Sequence, residues 1–237
     1  MWGEPMAKSK KIVLFIVEGP FDQFALDEIV GGIVESETVK FHIIEGDLTA
    51  FWENESTNIK AKIYKKIEEF RDRYGYKKSD ILRVVQLLDT DGAYIPDNCV
   101  IQGTSKISYK ENCIETSNVQ GIQRRNYKKR TISRMLATTS CIGSYPYEVF
   151  YFSRNLEHAL HNDANELTDD QKGAYADQFA LAYKDDIEGF IKYINDETFA
   201  VQKPFSESWE FIFSEKNSLH RHCNFHICIN QLFNKTE

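Results

Sequence analysis

The sequence predicts an α/β fold in which a mostly parallel β-sheet is flanked by helices. Three short apolar runs without polar alternation are typical of strands that are buried on both faces. Amphipathic stretches of helical length separate these runs, which favours right-handed crossovers and parallel pairing. The chain has 237 residues, 42% of them hydrophobic, which suffices for one large domain with a well-buried core.

The first strand is predicted over residues 11–17, and it ends in Glu18 and Gly19. Pro20 suits the first position of a helix, and apolar residues then recur at helical spacing until the glycine pair at residues 31–32. Glu18 therefore lies at the carboxyl end of a strand, where open α/β sheets bind their ligands.

Two further strand and helix patterns follow. Residues 39–44 form a second apolar run that ends in acidic residues including Asp47, and residues 59–74 have the apolar face of a helix. A third apolar run, residues 81–88, ends in an acidic turn at residues 89–92. These units predict a sheet of at least three parallel strands.

The carboxyl ends of parallel strands meet at one edge of a sheet, so we expect Glu18, Asp47, Asp89 and Asp91 to lie close together. Asp89 and Asp91 are two residues apart, so both project to one side of the strand, while Gly92 lets the backbone turn away. Such an open carboxylate cluster suits Mg²⁺, with Mn²⁺ as an alternative. Glu18 is expected to bind the same ion or to act as a general base toward a metal-bound water. An ordinary turn remains the other interpretation of the Asp-x-Asp-Gly motif.

Residues 97–146 lack this alternation and predict an insertion or long connection, with one short helix near residues 129–137. Within it, residues 124–134 contain six basic residues and no acidic one. These candidate nucleic-acid contacts are Arg124, Arg125, Lys128, Lys129, Arg130 and Arg134. Arg and Lys neutralise phosphate charge without reading sequence, so the segment predicts a phosphate-contacting loop, with a solvated loop as the alternative.

The sheet is expected to resume at residues 147–152 and to complete an α/β domain over residues 8–165. Residues 166–237 predict a helical C-terminal region that packs on this domain. His158 and His161 are three residues apart on a predicted helix, and either could face the acidic cluster. The His and Cys residues between 220 and 228 do not have the usual paired spacing of a zinc site, so packing and solvent roles are favoured.

Composition limits the cellular context. Five cysteines without regular spacing argue against a secreted disulfide-rich protein. No apolar run approaches the roughly 18 to 20 residues that span a membrane, so we expect a cytoplasmic protein that does not enter the membrane. The net charge of -7 argues against a protein that coats nucleic acid over its whole surface. The chain has no Walker-type phosphate loop, so an ATP requirement would indicate a partner protein.

The acidic motifs resemble those of a known fold family. Glu18-Gly19 after the first strand and Asp89-Thr90-Asp91-Gly92 after the third resemble the motif pair of the Rossmann-like Toprim fold. Topoisomerases, bacterial-type primases and OLD-family nucleases share this fold. Asp22 matches the second acidic residue of the OLD-type nucleases. The resemblance covers roughly residues 10–165.

A second segment resembles one branch of that family. Ser153, Asn155 and Glu157 are similar to the Ser/Asn-plus-Glu segment of RloB-like and abortive-infection Toprim proteins. The resemblance implies that Glu157 is a further metal ligand and that Ser153 or Asn155 orients it. His158 follows directly and is assigned a supporting role with Gly19 and Gly92.

The resemblance implies a Mg²⁺-dependent nuclease of a bacterial anti-phage defence or abortive-infection system, with DNA, RNA or tRNA as substrate. Its catalytic residues would be Glu18, Asp89, Asp91 and Glu157, and Asp22 would join them as a metal ligand. A partner ATPase from the same operon is also implied, and a homo-oligomer is compatible with this prediction. The alternative is a non-catalytic Toprim module that binds nucleic acid or protein. A strand-passage or priming enzyme is disfavoured because the chain lacks room for a further domain.

Overall fold

The computed structural model describes residues 11–34, 38–43, 49 and 58–234. Asp47, which the sequence places at the acidic edge, lies outside the described residues. The strands are β1 (Ile12–Val17), β2 (Thr38–Ile43), β3 (Ile81–Asp89), β4 (Val100–Gln102), β5 (Ser108–Tyr109), β6 (Ile114–Thr116), β7 (Cys141–Ile142) and β8 (Tyr145–Phe152). The helices are α1 (Pro20–Ile33), α2 (Ile59–Tyr74), α3 (Val119–Ala137), α4 (Leu156–His161), α5 (Asp169–Tyr183), α6 (Ile187–Ile194), α7 (Phe205–Phe213) and α8 (Phe225–Phe233).

The main sheet has five strands in the order β2-β1-β3-β8-β7. β2, β1, β3 and β8 are parallel, and β7 pairs antiparallel with β8 at the edge. A second, three-stranded sheet has the order β4-β6-β5. The predicted α/β fold is therefore confirmed, and the carboxyl ends of β1, β3 and β8 lie side by side.

Helices cover both faces of the main sheet. Side chains of β1 alternate between two cores, with Val13 and Phe15 on one face and Leu14 and Ile16 on the other. The first core is shared with α1, α4, α5, α6 and α8, and the second with α2, α3 and α7. The helical C-terminal region thus completes the same core that the sheet begins. Within the described residues, no helix is long and apolar enough to cross a membrane.

The basic segment was predicted as a loop with one short helix near residues 129–137; a helix does cover those residues, and the loop prediction was wrong. Residues 119–137 form one 19-residue helix, α3, whose N-terminus is capped by the Asn118 side chain accepting a hydrogen bond from the Gly121 amide. Ile132 and Leu136 are buried in the core that α2 also covers. The helix α3 precedes β7 and β8 in the connection between the parallel strands β3 and β8, and the small second sheet is the added element.

Candidate functional site

Five carboxylates predicted from the sequence gather at the carboxyl edge of the main sheet. Glu18 follows β1, Asp89 ends β3, Asp91 lies two residues beyond it, and Asp22 and Glu157 lie in the first turns of α1 and α4. Burial raises the pKa of Asp89 well above its usual range, and the negative charges of Glu18, Asp22 and Asp91 raise it further. The environment of Asp89 therefore disfavours its ionised form.

Asp22 is bonded within its own turn and also belongs to the cluster. Its Oδ2 accepts a hydrogen bond from the Gly19 amide at 3.1 Å, so it caps the N-terminus of α1. The pKa of Asp22 is raised to about 6, mainly by burial. The hydrogen bond from the Gly19 amide and the charge of Lys172 lower this pKa, and the negative charge of Glu157 raises it further. Oε1 of Glu18 is likewise buried at this edge.

The turn after β3 is held by the turn after β8. Asp91 and Arg154 both have left-handed backbone conformations, with φ of 48° and 54°. The Asp91 amide donates to the Arg154 carbonyl at 2.8 Å, and the Arg154 amide donates to Thr90 Oγ1 at 2.9 Å. A left-handed non-glycine residue costs on the order of 1 kcal/mol or more, so these bonds fix an unfavourable geometry in the acidic turn.

Two basic residues of α3 face this turn. Lys129 Nζ lies 2.5 Å from Asp91 Oδ2, and the Lys129 side chain is fully buried. Arg125, one helical turn earlier, donates from Nη2 to the Asp91 carbonyl oxygen at 2.9 Å. Lys129 is therefore not available to phosphate in this structure, which corrects its assignment as an exposed nucleic-acid contact. The physical reason is helical phase, because residues four apart share one face.

The other predicted basic contacts lie on different faces of α3. Arg124 is exposed, and Arg124, Tyr127 and Lys128 line a shallow depression of about 430 Å³ in which the Tyr127 ring is 63% exposed. Arg130 is half-buried beside Asp97, with 3.9 Å between Nη2 and Oδ1. Arg134 is exposed. The basic segment is thus divided between an inner, acid-facing side and an outer side.

Ser153 and Asn155 do not contact Glu157 as the resemblance implies. The buried Ser153 hydroxyl lies against backbone carbonyls of the C-terminal segment, including that of Ser218 at 3.1 Å. Asn155 Oδ1 accepts from the His158 amide at 2.9 Å and so caps α4. Both side chains position the turn, and the expectation that either one orients Glu157 is corrected.

The two histidines after β8 have different surroundings. His158 Nδ1 lies 3.1 Å from the Ser153 carbonyl, so Nδ1 is the protonated nitrogen. Burial and the charge of Arg154 lower the pKa of His158 to about 4, so the ring is neutral at pH 7. His161 stacks on Tyr175 with ring centroids 4.5 Å apart, so it packs among aromatic side chains.

A small cavity of about 230 Å³ lies beside the segment that follows β8. Its lining includes Tyr109, Arg154, His158 and Lys172. Lys172 Nζ lies 3.9 Å from Glu157 Oε1, and the guanidinium of Arg154 lies over the Tyr109 ring at 5.2 Å. Tyr109 and Lys172 come from remote segments without a motif, so no sequence pattern pointed to them, whereas Arg154 follows directly after Ser153.

The carboxylates do not form a closed metal cage. Among the described residues, no three His, Cys, Asp or Glu side chains are placed to hold a metal ion, and this includes the buried Cys223 and Cys228. Mg²⁺ keeps several waters and is often held by only one or two carboxylates. Glu18, Asp89 and Asp91 offer carboxylate oxygens, which are the ligand type that this ion prefers.

No family model, curated protein or solved structure matches this chain. The site is accordingly interpreted from its own residues and geometry.

Proposed function

We propose that this protein is a Mg²⁺-dependent nuclease that cleaves phosphodiester bonds in DNA or RNA at the carboxyl edge of its sheet. The observation that supports it most is the placement of Glu18, Asp89 and Asp91 at one edge of the sheet, where burial and then the charges of Glu18, Asp22 and Asp91 raise the pKa of Asp89. Structural ion pairs place opposite charges together, whereas this edge places like charges together and so favours a cation. The position of these residues after β1 and β3 also supports the resemblance to the Toprim fold.

The carboxylates have two roles in this proposal. Glu18, Asp89 and Asp91 would hold Mg²⁺, and Asp22 and Glu157 would support a second ion. When bound, the metal supplies a Lewis acid and an activated water for attack on phosphorus. Asp91 is fixed by its bonds to neighbouring side chains and backbone, so it is presented in one orientation.

The outer side of α3 is proposed to hold the nucleic acid. Arg124 and Lys128 provide positive charge, and the exposed ring of Tyr127 provides a surface on which a base can stack. The same helix places Arg125 and Lys129 against the acidic turn. A phosphate backbone that follows α3 would therefore approach the carboxylates.

On the same resemblance, we propose that this activity belongs to a bacterial anti-phage defence or abortive-infection system. In that setting a partner ATPase from the same operon would sense the trigger. This proposal is separable from cleavage itself, because the carboxylates lie within one chain.

A second candidate function is a non-catalytic module that binds nucleic acid or protein. Two observations favour it. Lys129 already neutralises Asp91, and the described residues contain no group of three ligands arranged for a metal. This module would use the basic outer side of α3 and need no ion.

The test combines cleavage with binding. Purified protein is incubated with Mg²⁺ or Mn²⁺ and with plasmid DNA, single-stranded RNA or tRNA. The variants Glu18→Gln and Asp89→Asn are assayed in parallel, together with the control Glu28→Gln, which changes an exposed residue of α1. We expect wild type and control to cleave, and the two site variants to lose at least about 100-fold in rate. Equal cleavage by the site variants would refute the catalytic assignment.

Binding separates the two candidates. The double variant Arg124→Ala/Lys128→Ala should weaken binding and reduce the slope of log K against log salt by about two. Tight binding that EDTA does not change, without cleavage under any metal condition, would support the non-catalytic module instead.

A further inference from the structure

A buried arginine lies at the opposite end of β3 from the carboxylates. Arg83 is six residues before Asp89, which corresponds to about 20 Å along an extended strand. Its residue surface is 9% exposed. Nη1 lies 3.6 Å from Glu148 Oε2 and 3.5 Å from Gln231 Oε1. Nε and Nη2 are buried and have no hydrogen-bond partner among the described residues.

This arrangement leaves the guanidinium incompletely satisfied. A buried charge is costly unless it is paired and hydrogen-bonded, and buried polar atoms in native proteins nearly always have partners. The Glu148 contact is longer than a good hydrogen bond, and 35% of the Glu148 side chain is exposed to solvent. Nε and Nη2 form the edge of the guanidinium that can bind both oxygens of a carboxylate through parallel hydrogen bonds.

The arginine lines a cavity of about 790 Å³, a volume within the usual range for small-molecule sites. Leu82, Pro146 and Phe205 give it apolar walls. Thr138 and Ser140 add polar groups on one side of the same cavity. Largely apolar walls with a few polar groups are typical of a pocket for an organic molecule rather than for an inorganic ion.

We propose that this cavity binds a small organic molecule with one carboxylate group and an apolar body, anchored by Arg83. Binding requires the guanidinium to turn its Nε and Nη2 edge toward the cavity, and the Nη1 contacts that this turn would break are long, 3.6 Å to Glu148 and 3.5 Å to Gln231. Glu148, beside Nη1, repels negative charge and therefore disfavours a phosphate dianion relative to a carboxylate monoanion. The site is distinct from the carboxylate cluster and needs no metal.

The test measures binding by calorimetry and thermal shift with a panel of probes. Benzoate, hexanoate and a set of other small carboxylates are compared with neutral benzamide and with phenyl phosphate. The proteins are wild type, Arg83→Met, Arg83→Lys and the control Arg73→Met, which changes an exposed arginine of α2. Circular dichroism verifies that each variant is folded.

We expect at least one carboxylate to bind wild type and Arg73→Met saturably, and benzamide to bind neither. Arg83→Met should weaken that binding by about tenfold or more, because a charge-assisted bidentate contact is lost. Arg83→Lys keeps the positive charge but lacks the bidentate edge, so its affinity for the carboxylate should lie between those of wild type and Arg83→Met. Without ligand, Arg83→Met should melt no lower than wild type, since it removes an incompletely paired buried charge.

Three results would overturn the proposal. The first is that no carboxylate of the panel binds wild type saturably. The second is that Arg83→Met binds the carboxylate as tightly as wild type does, and the third is that phenyl phosphate binds more tightly than every carboxylate. If Arg83→Met fails to fold, loss of binding in folded Arg83→Lys supports the proposal and unchanged binding refutes it. Because the readout is binding, the outcome does not depend on nuclease activity.

Discussion

The substitution Asp22→Asn tests whether the carboxylate edge is under electrostatic strain. Asn keeps an oxygen that can accept the hydrogen bond from the Gly19 amide, so the cap of α1 is retained. It removes the negative charge that burial and Glu157 disfavour. A purely structural view of Asp22 as a helix cap predicts a loss of stability, because Asp also interacts favourably with the helix dipole.

The expected magnitude follows from the pKa of Asp22, which burial raises from 3.8 to about 6. The folded state binds the proton more tightly than the unfolded state, so stability falls as pH rises from about 4 to about 6 and stays reduced above that range. At pH 8 the ionised carboxylate costs about 2 to 3 kcal/mol of folding free energy, the lower end allowing for the partial exposure of Asp22. Asp22→Asn should recover this amount.

The assay is urea unfolding in EDTA at pH 4, 6 and 8, with Glu28→Gln as a control on the exposed side of α1. Asp22→Asn and wild type should have nearly equal stability at pH 4. The variant should become more stable by about 2 to 3 kcal/mol at pH 8, while the control follows wild type. A variant that is less stable than wild type at pH 8, or a difference that does not change with pH, would refute the reasoning.

Three further predictions concern the surroundings of the cluster. Lys129→Met should lower the free energy of unfolding, measured by urea titration, by about 3 kcal/mol, because it leaves the Asp91 carboxylate without its cation. The double variant Lys129→Met/Asp91→Asn should recover part of this loss, whereas additive losses of the two single variants would contradict the ion pair. Gly92→Ala should lower the free energy of unfolding by about 2 to 3 kcal/mol in thermal unfolding, because φ is 62° and an added Cβ would lie 2.7 Å from a Leu219 side-chain carbon. Gly75 has a similar φ of 68° but open space around it, so Gly75→Ala should cost only about 1 kcal/mol. Equal losses for the two variants would contradict the predicted clash at Gly92. The His158 imidazole should show no protonation by NMR between pH 5 and 8, because burial lowers its pKa to about 4; a midpoint near 6.5 would contradict its buried placement.

The parallel sheet and its acidic edge could be predicted because their signals are local. Continuous apolar runs such as residues 12–17 are the pattern of a strand that is buried on both faces. Once such strands are parallel, the residue after each strand is placed at a known edge, which brings Glu18 and Asp89 together without further information.

The basic segment was misjudged because its apolar residues are few and widely spaced. Ile132 and Leu136 alone mark the buried face of the C-terminal half of α3, and the intervening charges obscure the helical period. The same helix buries Lys129, which no propensity scale would place in the interior. Its burial depends on Asp91, 38 residues away in sequence, so only the three-dimensional structure could reveal the pair.

The electrostatics of this edge favour the proposed ligand site over a structural ion-pair network. In a structural network each carboxylate gains a cation, and its pKa falls. Here Lys129 contacts Asp91 and Lys172 lies near Glu157, yet burial and neighbouring negative charges raise the pKa of Asp89 and that of Asp22. These pKa shifts predict that keeping the carboxylates together lowers the stability of the fold at neutral pH, which is consistent with the proposed site. A bound divalent cation would reverse that loss, which is the physical reason to expect one.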